Sequence, residues 1–299
     1  MNTSLSKEYL AGCEALENED YEDAIHYFSK AIASNPDDID ALIKRADAHL
    51  ENDDIASCEK DMMLQIEFYT RMLNNHPNDF NLLLKRAEVY KLLLMESKSQ
   101  KDYEQAIKIK PNTIEAHLGL ALLHTFRCPR KLDEAEKIFI KILDWQPEHS
   151  RALYHLALLY NIKNDNEKSI HFHKKCISGE GDYEFTSYKS LIRIFRKLNC
   201  YNEAISWMKK FLIKFTGSPS DYLNLAYLYV DNEEYDEAQL FQTIALALAG
   251  EKEHILFSSA QLYAQMKIWH KAIEFMERTI KIDPRPSYQR YKSKLEQNL

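Results

Sequence analysis

The sequence predicts an all-α protein, an α-solenoid of about eight helix-turn-helix repeats followed by a C-terminal capping helix. Glycine and proline are scarce, because the 299 residues include 6 Gly and 8 Pro, where average usage would give roughly 21 and 15. Strand-rich folds need these residues at their turns, so the deficit favours helices. Hydrophobic residues make up 45% of the chain, enough for a folded core. Helix-breaking residues also recur at a fixed interval, as in stacked repeats.

The helix-breaking residues divide the chain into units of about 34 residues. Successive gaps between them are 41, 34, 36, 34, 69 and 34 residues, and 69 is two units plus one residue. A helix-turn-helix unit has this length, and each of its helices is too short to be stable alone in water, so neighbouring units must stack. The breaks are Pro36, Pro77, Pro111, Pro147, Gly181, Gly250 and Pro284.

Small and bulky side chains recur at matching positions inside the units. A small residue lies near the middle of the expected first helix in seven of the eight units, where two helices must cross closely: Gly12, Ala46, Ala87, Ala121, Ala157, Ala226 and Ala260. A second small residue follows on the second helix, typically twelve positions later: Ala24, Cys58, Ser99, Ala135, Ser169, Ala204, Ala238 and Ala272. Beyond it comes a residue, usually bulky, that we expect between neighbouring units: Phe28, Met62, Tyr103, Phe139, His173, Met208, Gln242 and Met276.

Two elements differ from the regular repeat. The second unit is seven residues longer than the others, which is almost two helical turns. Its second helix can therefore extend from about Ile55 to Asn74 while its apolar stripe still faces the core. After Pro284, the segment PSYQRYKSKLEQNL places Tyr288, Tyr291 and Leu295 on one helix face. We expect this segment to cap the last unit.

These units resemble the tetratricopeptide repeat family, whose pattern pairs small residues on two helices with an aromatic residue on the second helix and a closing proline. The best copy is YEDAIHYFSKAIASNP, with Ala24, Phe28, Ala31 and Pro36 in register. The sixth unit departs from the pattern, because it has Leu191 or Ile192 at the first small position and ends near Thr216 without a proline.

The resemblance covers about residues 5–284 and implies a right-handed superhelical domain over the whole chain. We expect it to include residues 1–299 as a single domain, with residues 286–299 as the capping helix. The expected repeats are residues 5–38, 39–79, 80–113, 114–149, 150–183, 184–218, 219–252 and 253–285.

The sequence contains none of the motifs that would indicate an enzyme, a metal site or a cofactor. The densest cluster of metal-binding residue types is HFHKKC, but His171 and His173 lie two apart and point to different faces of a helix. The only close glycine pair is Gly179 and Gly181, which does not form a phosphate-binding loop. We therefore expect no catalysis, no metal and no cofactor.

The net charge of −7 is unevenly distributed. Residues 1–61 carry 5 basic and 16 acidic side chains, a net charge of −11, whereas residues 185–216 carry 7 basic and 1 acidic, a net charge of +6. Such charge separation bears on partners rather than on the fold. It suggests head-to-tail association between copies that depends on salt concentration.

The protein is expected to be cytoplasmic. No apolar stretch approaches the roughly 18 to 20 residues of a membrane span, and the N-terminal residues lack the order of a secretion signal. The cysteines are odd in number and contain no C-x-x-C, which fits a reducing compartment. They are Cys13, Cys58, Cys128, Cys176 and Cys200.

The resemblance implies a concave groove lined by the first helix of each unit. An aromatic residue and several cations converge in its second half, where arginine and tyrosine would anchor a partner and asparagine would hold a peptide backbone. An acidic peptide or chain terminus is the first candidate ligand. The candidate groove residues are Arg151, Tyr154, His155, Lys189, Arg193, Arg196, Lys197, Asn224, Tyr227 and Phe257.

Some members of the family hold acidic C-termini of heat-shock chaperones in a two-carboxylate clamp, which this chain does not reproduce. In the first unit Tyr9 and Cys13 replace its Lys and Asn, and in the second Lys44 replaces its Asn. In the third unit Asn81 and Lys85 stand where Lys and Arg belong.

The preferred function is a non-enzymatic scaffold or adaptor that binds a protein or peptide in the groove. A co-chaperone-like assembly factor is an alternative. A helical-repeat nucleic-acid binder is a weaker alternative, because the acidic net charge opposes phosphate binding. An enzyme or an enzyme's regulatory arm is equally weak, since the repeats leave little room for a catalytic domain. We therefore expect a protein partner and no nucleic acid.

Overall fold

The computed structural model describes residues 6–127, 130–179 and 181–299. Throughout these ranges the regular elements are α-helices, so the predicted all-α repeat architecture is confirmed. The chain divides into two compact units, Met1–Trp145 and Gln146–Leu299. From here on, the first unit and the second unit are these two parts of the chain, and the 34-residue units of the sequence are called repeats. That residues 1–299 form a single domain remains a prediction.

The first unit is a series of four helical hairpins, each formed by two consecutive helices that pack together. Each hairpin also packs against the next one within the unit. The helices are α1 (Lys7–Glu17), α2 (Tyr21–Ser34), α3 (Ile39–Glu51), α4 (Ile55–Asn75), α5 (Phe80–Leu92), α6 (Glu96–Ile109), α7 (Ile114–Phe126) and α8 (Leu132–Trp145).

The second unit repeats this arrangement and adds one helix, which packs against α16. Its helices are α9 (Ser150–Ile162), α10 (Asn166–Ser178), α11 (Glu184–Lys197), α12 (Tyr201–Phe215), α13 (Pro219–Asp231), α14 (Tyr235–Ala249), α15 (Glu253–Gln265), α16 (Trp269–Ile282) and α17 (Pro286–Glu296).

The repeated positions form the core between the helices. All the small residues identified from the period are buried, and so are the residues that follow them except Met62, which is half-buried. Serine fits at a small position because its hydroxyl finds a partner: Ser99 Oγ donates to the Ala87 carbonyl at 2.8 Å, and Ser169 Oγ to the Ala157 carbonyl at 2.9 Å. The second helix is thereby bonded to the small position of the first.

Close approach explains the glycine at the small position of α1. A Cβ atom at Gly12 would lie 2.7 Å from Phe28 Cε1, closer than non-bonded carbon atoms can approach. The aromatic ring of α2 therefore packs directly on the backbone of α1.

A residue in the left-handed backbone conformation lies in the turn of seven hairpins, with φ angles from 56° to 62°. Glycine adopts this conformation without steric cost, yet none of these residues is glycine. The hairpins can thus turn in a chain that has few glycines. The residues are Glu19, Asp53, Leu94, Asn164, Asn199, Glu233 and Lys267.

The irregular elements occur where the sequence predicts them. Helix α4 runs from Ile55 to Asn75, one residue beyond the predicted end. Helix α17 has Pro286 in its first turn and buries Tyr288 and Leu295. In the sixth repeat, α12 ends before Thr216, whose left-handed conformation terminates the helix without a proline.

Two ion pairs with the same geometry join successive helices of the first unit. Arg45 donates to both carboxylate oxygens of Asp61, at 2.7 and 2.8 Å, and to Ser29 Oγ at 3.0 Å. Arg86 makes the equivalent bonds to Asp102, at 2.7 and 2.8 Å, and to Thr70 at 3.1 Å. In each case the partners lie sixteen residues before and after the arginine, a spacing that the sequence analysis did not identify.

The histidines of α10 do not gather on one face, and the cysteines of the described residues are free thiols. His171 is exposed and His173 is fully buried, so the two do point to different faces of α10 as predicted. Cys58 of the first unit and Cys176 are buried free thiols, and Cys13 and Cys200 are half-buried free thiols. Cys128 lies outside the described residues.

Candidate functional site

Five of the ten predicted groove residues lie together on two first helices of the second unit. Lys189, Arg193 and Arg196 are spaced by four and three residues along α11, so they share one face of that helix. Asn224 and Tyr227 lie three residues apart on α13. These five side chains line two adjoining pockets.

The first pocket has a volume of about 220 Å³ and combines apolar and charged walls. Met208 and Leu228 are buried and Ile192 is half-buried, so apolar surface lies behind the exposed cations. A side chain with an aliphatic part and a charged end matches this combination. The lining residues are Lys189, Ile192, Arg193, Arg196, Met208, Asp221, Asn224 and Leu228.

The second pocket, of about 590 Å³, shares Arg196 and Asn224 with the first. The two pockets are therefore continuous and form one groove from α11 across α13 and α15 to α17. Amide and hydroxyl groups dominate this part, which suits hydrogen bonds to a peptide backbone. The lining residues are Arg196, Asn224, Tyr227, Ser258, Gln261, Ala264, Gln265 and Tyr291.

Carboxylates of α13 neutralise two of the three groove cations. Lys189 Nζ lies 3.5 Å from Asp221 Oδ1, and Arg196 Nε lies 2.7 Å from Asp231 Oδ2. Asp221 also receives a hydrogen bond from the Ser218 hydroxyl at the start of α13. Within the described ranges, Arg193 forms no ion pair with a carboxylate.

Tyr227 joins the groove helices to one another. Its hydroxyl donates to the Ser258 carbonyl at 2.7 Å, which ties α13 to α15. Burial raises the pKa of Tyr227 to about 12, and the neighbouring Tyr291 contributes in the same direction. The phenol therefore stays protonated and keeps this hydrogen bond at physiological pH.

The predicted residues of α9 form an aromatic cluster that lines neither pocket. The ring of Tyr154 stacks on Tyr183 with centroids 5.0 Å apart, and the ring of His155 lies 5.2 Å from Tyr154. Arg151 is exposed at the beginning of the same helix. These residues are not gathered with the cations of α11 in one pocket.

Phe257 and Lys197 also line neither of the two pockets. Helix α17 covers Phe257, whose ring centroid is 4.8 Å from Tyr288 and 5.8 Å from Tyr291. Lys197 is exposed at the end of α11.

Asp221 and Tyr291, which set the charge and depth of the groove, were not predicted from the sequence as groove residues. Asp221 was recognisable as the third residue after a helix-capping serine, but its contact with Lys189 joins residues 32 positions apart in the chain. Tyr291 was assigned to the capping helix, and its position in the groove wall is a property of the packed structure.

No group of His, Cys, Asp and Glu side chains able to hold a metal ion occurs among the described residues. Among the helices that the described residues form, none is both long enough and apolar enough to cross a membrane.

Comparison with family models finds tetratricopeptide repeats in two places, over residues 9–57 and residues 150–178. The chain is 26% identical over 284 residues to the human protein O-mannosyl-transferase TMTC3. That match covers 90% of this chain and 31% of the relative, so the chain spans about a third of the relative's length.

Solved structures share the fold. A tetratricopeptide repeat protein from Parabacteroides merdae matches with a TM-score of 0.53 and 18% identity, covering 87% of this chain and 97% of that protein. PilW, a type IV pilus biogenesis factor, matches with a TM-score of 0.52 and 18% identity, over 70% of this chain and 92% of PilW. At such identities the likeness concerns the fold alone.

Proposed function

We propose that this chain is a protein-protein interaction scaffold that binds an acidic peptide or chain terminus in the groove of the second unit. The two tetratricopeptide repeat matches and the helical-repeat fold support the scaffold role. We define the groove as the two adjoining pockets on α11, α13, α15 and α17. The scaffold has no catalytic activity and no cofactor, and it works in the cytoplasm.

The observation that carries this proposal is the exposed guanidinium of Arg193. It lines the first pocket beside Asn224 and apolar surface, and no carboxylate of the described chain pairs with it. A partner carboxylate would gain charge-assisted hydrogen bonds there. The aliphatic part of the same partner residue would cover the half-buried Ile192, and Asn224 would bond its backbone.

The name of the human relative describes a transferase, but this chain spans only 31% of that protein. We propose no transfer reaction for this chain.

If the groove binds an acidic partner, reversing the charge of its cations should weaken that binding. Arg193→Glu together with Lys189→Glu places carboxylates where a partner carboxylate would bind, so partner recovery in affinity purification with mass spectrometry should fall at least about tenfold. Once a partner is recovered, a synthetic peptide of its acidic segment should lose affinity for the same variant in a direct titration.

A matched control is Lys281→Glu together with Lys294→Glu, which makes the same charge change at exposed positions of α16 and α17 that line neither pocket. Circular dichroism should show the wild-type helix content for both variants. Equal partner recovery by the two variants would contradict the proposed groove.

We also propose that copies of the chain associate head to tail through the acidic residues 1–61 and the basic residues 185–216. The net charges of −11 and +6 support this contact. A heterologous contact of this type either closes into a ring or continues as a filament.

A further inference from the structure

A further pocket, separate from the groove and different in composition, lies in the first unit. It is formed mainly by the second helices of two hairpins. It has a volume of about 410 Å³, and six of its eight lining residues belong to α6 and α8, whereas first helices line most of the groove. We call it the basic pocket. Its lining residues are Glu104, Ile107, Lys108, His117, Leu120, Lys137, Ile138 and Lys141.

The base of the basic pocket is aliphatic. Ile107 and Ile138 are half-buried and pack against a core cluster that includes the buried Leu120. Burial of the remaining exposed surface of these side chains by a partner would be favourable, because it removes apolar surface from water.

Three lysines surround this base, and their charge is not balanced. Lys108 and Lys137 form no ion pair within the described part of the chain. Lys137 and Lys141 lie four residues apart on α8, where like charges destabilise a helix. The one acidic lining residue, Glu104, accepts a hydrogen bond from Gln100 at 2.6 Å.

The orientation of Lys141 is fixed by its neighbours. Its Nζ lies 3.2 Å from His117 Nε2 and 5.0 Å from the centroid of Trp145. His117 Nδ1 bonds the Thr113 carbonyl at 2.7 Å, which assigns the ring proton to Nδ1 and leaves Nε2 as the acceptor. Burial lowers the pKa of His117, so the ring remains a neutral acceptor for the lysine.

We propose that the basic pocket is a second docking site, which binds an acidic peptide segment carrying an aliphatic side chain between carboxylates. The aliphatic side chain would occupy the base, and the carboxylates would pair with Lys108, Lys137 and Lys141. Nucleic-acid bases stack on aromatic faces, and the base here is aliphatic, so a peptide fits the site better than a nucleic acid.

The test uses full-length chain in the Lys189→Glu, Arg193→Glu background, which removes the groove as a competing site for acidic peptides. The probe is a fluorescein-labelled peptide of two leucines flanked on each side by three glutamates, capped at both ends. We expect saturable binding in fluorescence polarisation. Addition of Lys137→Glu and Lys141→Glu should weaken it at least about tenfold, since both cations become repulsive.

Two controls separate the site from general charge effects. Lys60→Glu with Lys101→Glu makes the same charge change on exposed parts of α4 and α6 outside the pocket, and should reduce affinity less than about threefold. A peptide with serines in place of the leucines should bind at least about tenfold more weakly, because it cannot fill the aliphatic base. Bound probe should also protect Lys108 and Lys137 from reductive methylation, but not Lys60.

Three results would overturn the proposal. One is the absence of probe binding at concentrations up to about 1 mM. Another is equal loss of binding in the pocket variant and the control variant. The third is binding of phosphatidylserine vesicles or single-stranded RNA, but not of the peptide, that depends on Lys137 and Lys141. Because the charges of Lys189 and Arg193 in the groove are reversed in this background, these results test the basic pocket and not the proposed groove.

Discussion

At the residue scale, His173 shows how burial at a repeat position changes the pKa of a side chain. It occupies the position of Phe28 and Phe139, is fully buried, and lies 3.3 Å from Ser187 Oγ through its Nδ1. Burial, with a smaller contribution from Arg193, lowers the pKa of His173 to about 4. The native ring is therefore neutral at pH values where an unfolded chain would protonate it.

This difference makes stability depend on pH. An unfolded histidine has a pKa of about 6.5, so between about pH 6.5 and pH 4 the unfolded chain binds a proton that the native chain does not. The free energy of unfolding should therefore fall by about 2 to 3 kcal/mol from this residue as the pH is lowered from 7 to 4.5. In urea denaturation at the two pH values, His173→Phe should remove most of this decrease.

His171→Phe on the exposed face of α10 is the matched control and should keep the wild-type pH dependence. If His173→Phe also keeps it, His173 is not the group that titrates.

At the element scale, the ion pairs of Arg45 with Asp61 and of Arg86 with Asp102, which we call the arginine clamps, each join three helices at one point. In the second clamp the side chains of Arg86 and Asp102 are 17% and 7% exposed. The hydrogen bonds that Arg86 donates to the Asp102 carboxylate raise the pKa of Arg86. The clamp thus fixes how α5 lies against α4 and α6, because a bidentate pair allows one relative orientation.

Removal of one partner should be more harmful than removal of both. Asp102→Ala leaves the partly buried charge of Arg86 unpaired and should lower the free energy of unfolding by about 3 kcal/mol or more. Arg86→Met with Asp102→Leu should recover most of this loss, because no unpaired charge remains. Urea denaturation of the three proteins measures both effects.

The exposed pair of Arg71 and Asp37 is the control for this prediction, since their side chains are 58% and 62% exposed. Asp37→Ala should change the stability little, as surface ion pairs contribute little. A double variant of the clamp that is no more stable than Asp102→Ala would show that packing, not charge, holds these helices.

At the scale of the whole molecule, charge is separated along the chain and only partly neutralised within it. Of the seven cations in residues 185–216, Lys189, Arg196 and Lys214 pair with Asp221, Asp231 and Glu184. Lys209 and Lys210 are exposed on α12 and pair with no carboxylate in the described ranges. The basic segment can therefore still attract the acidic residues 1–61 of another copy.

The proposed self-association should therefore depend on salt. Static light scattering should give a mass above that of the monomer at about 0.05 M salt and the monomer mass at about 0.5 M, because screening shortens the range of the attraction. Lys209→Glu with Lys210→Glu should reduce the low-salt mass. A chain that is monomeric at every ionic strength would exclude this contact.

Much of the fold is encoded in short stretches of the sequence. The length of α4, the capping segment after Pro284 and the small residues at helix crossings follow from spacing within one or two helices. The shared face of Lys189, Arg193 and Arg196 follows in the same way, because residues three and four apart adjoin on a helix. Neighbours in the chain decide these features.

The sequence by itself determined that the chain folds into successive helical hairpins and which face of α11 carries its cations. Only the tertiary structure decided which of those cations stay unpaired, because Asp221 and Asp231 approach Lys189 and Arg196 across more than thirty residues of chain. It also placed α17 over Phe257, and brought Lys108 and Lys137 to one pocket. Such contacts depend on how separate helices pack, and the period of one helix does not contain that information.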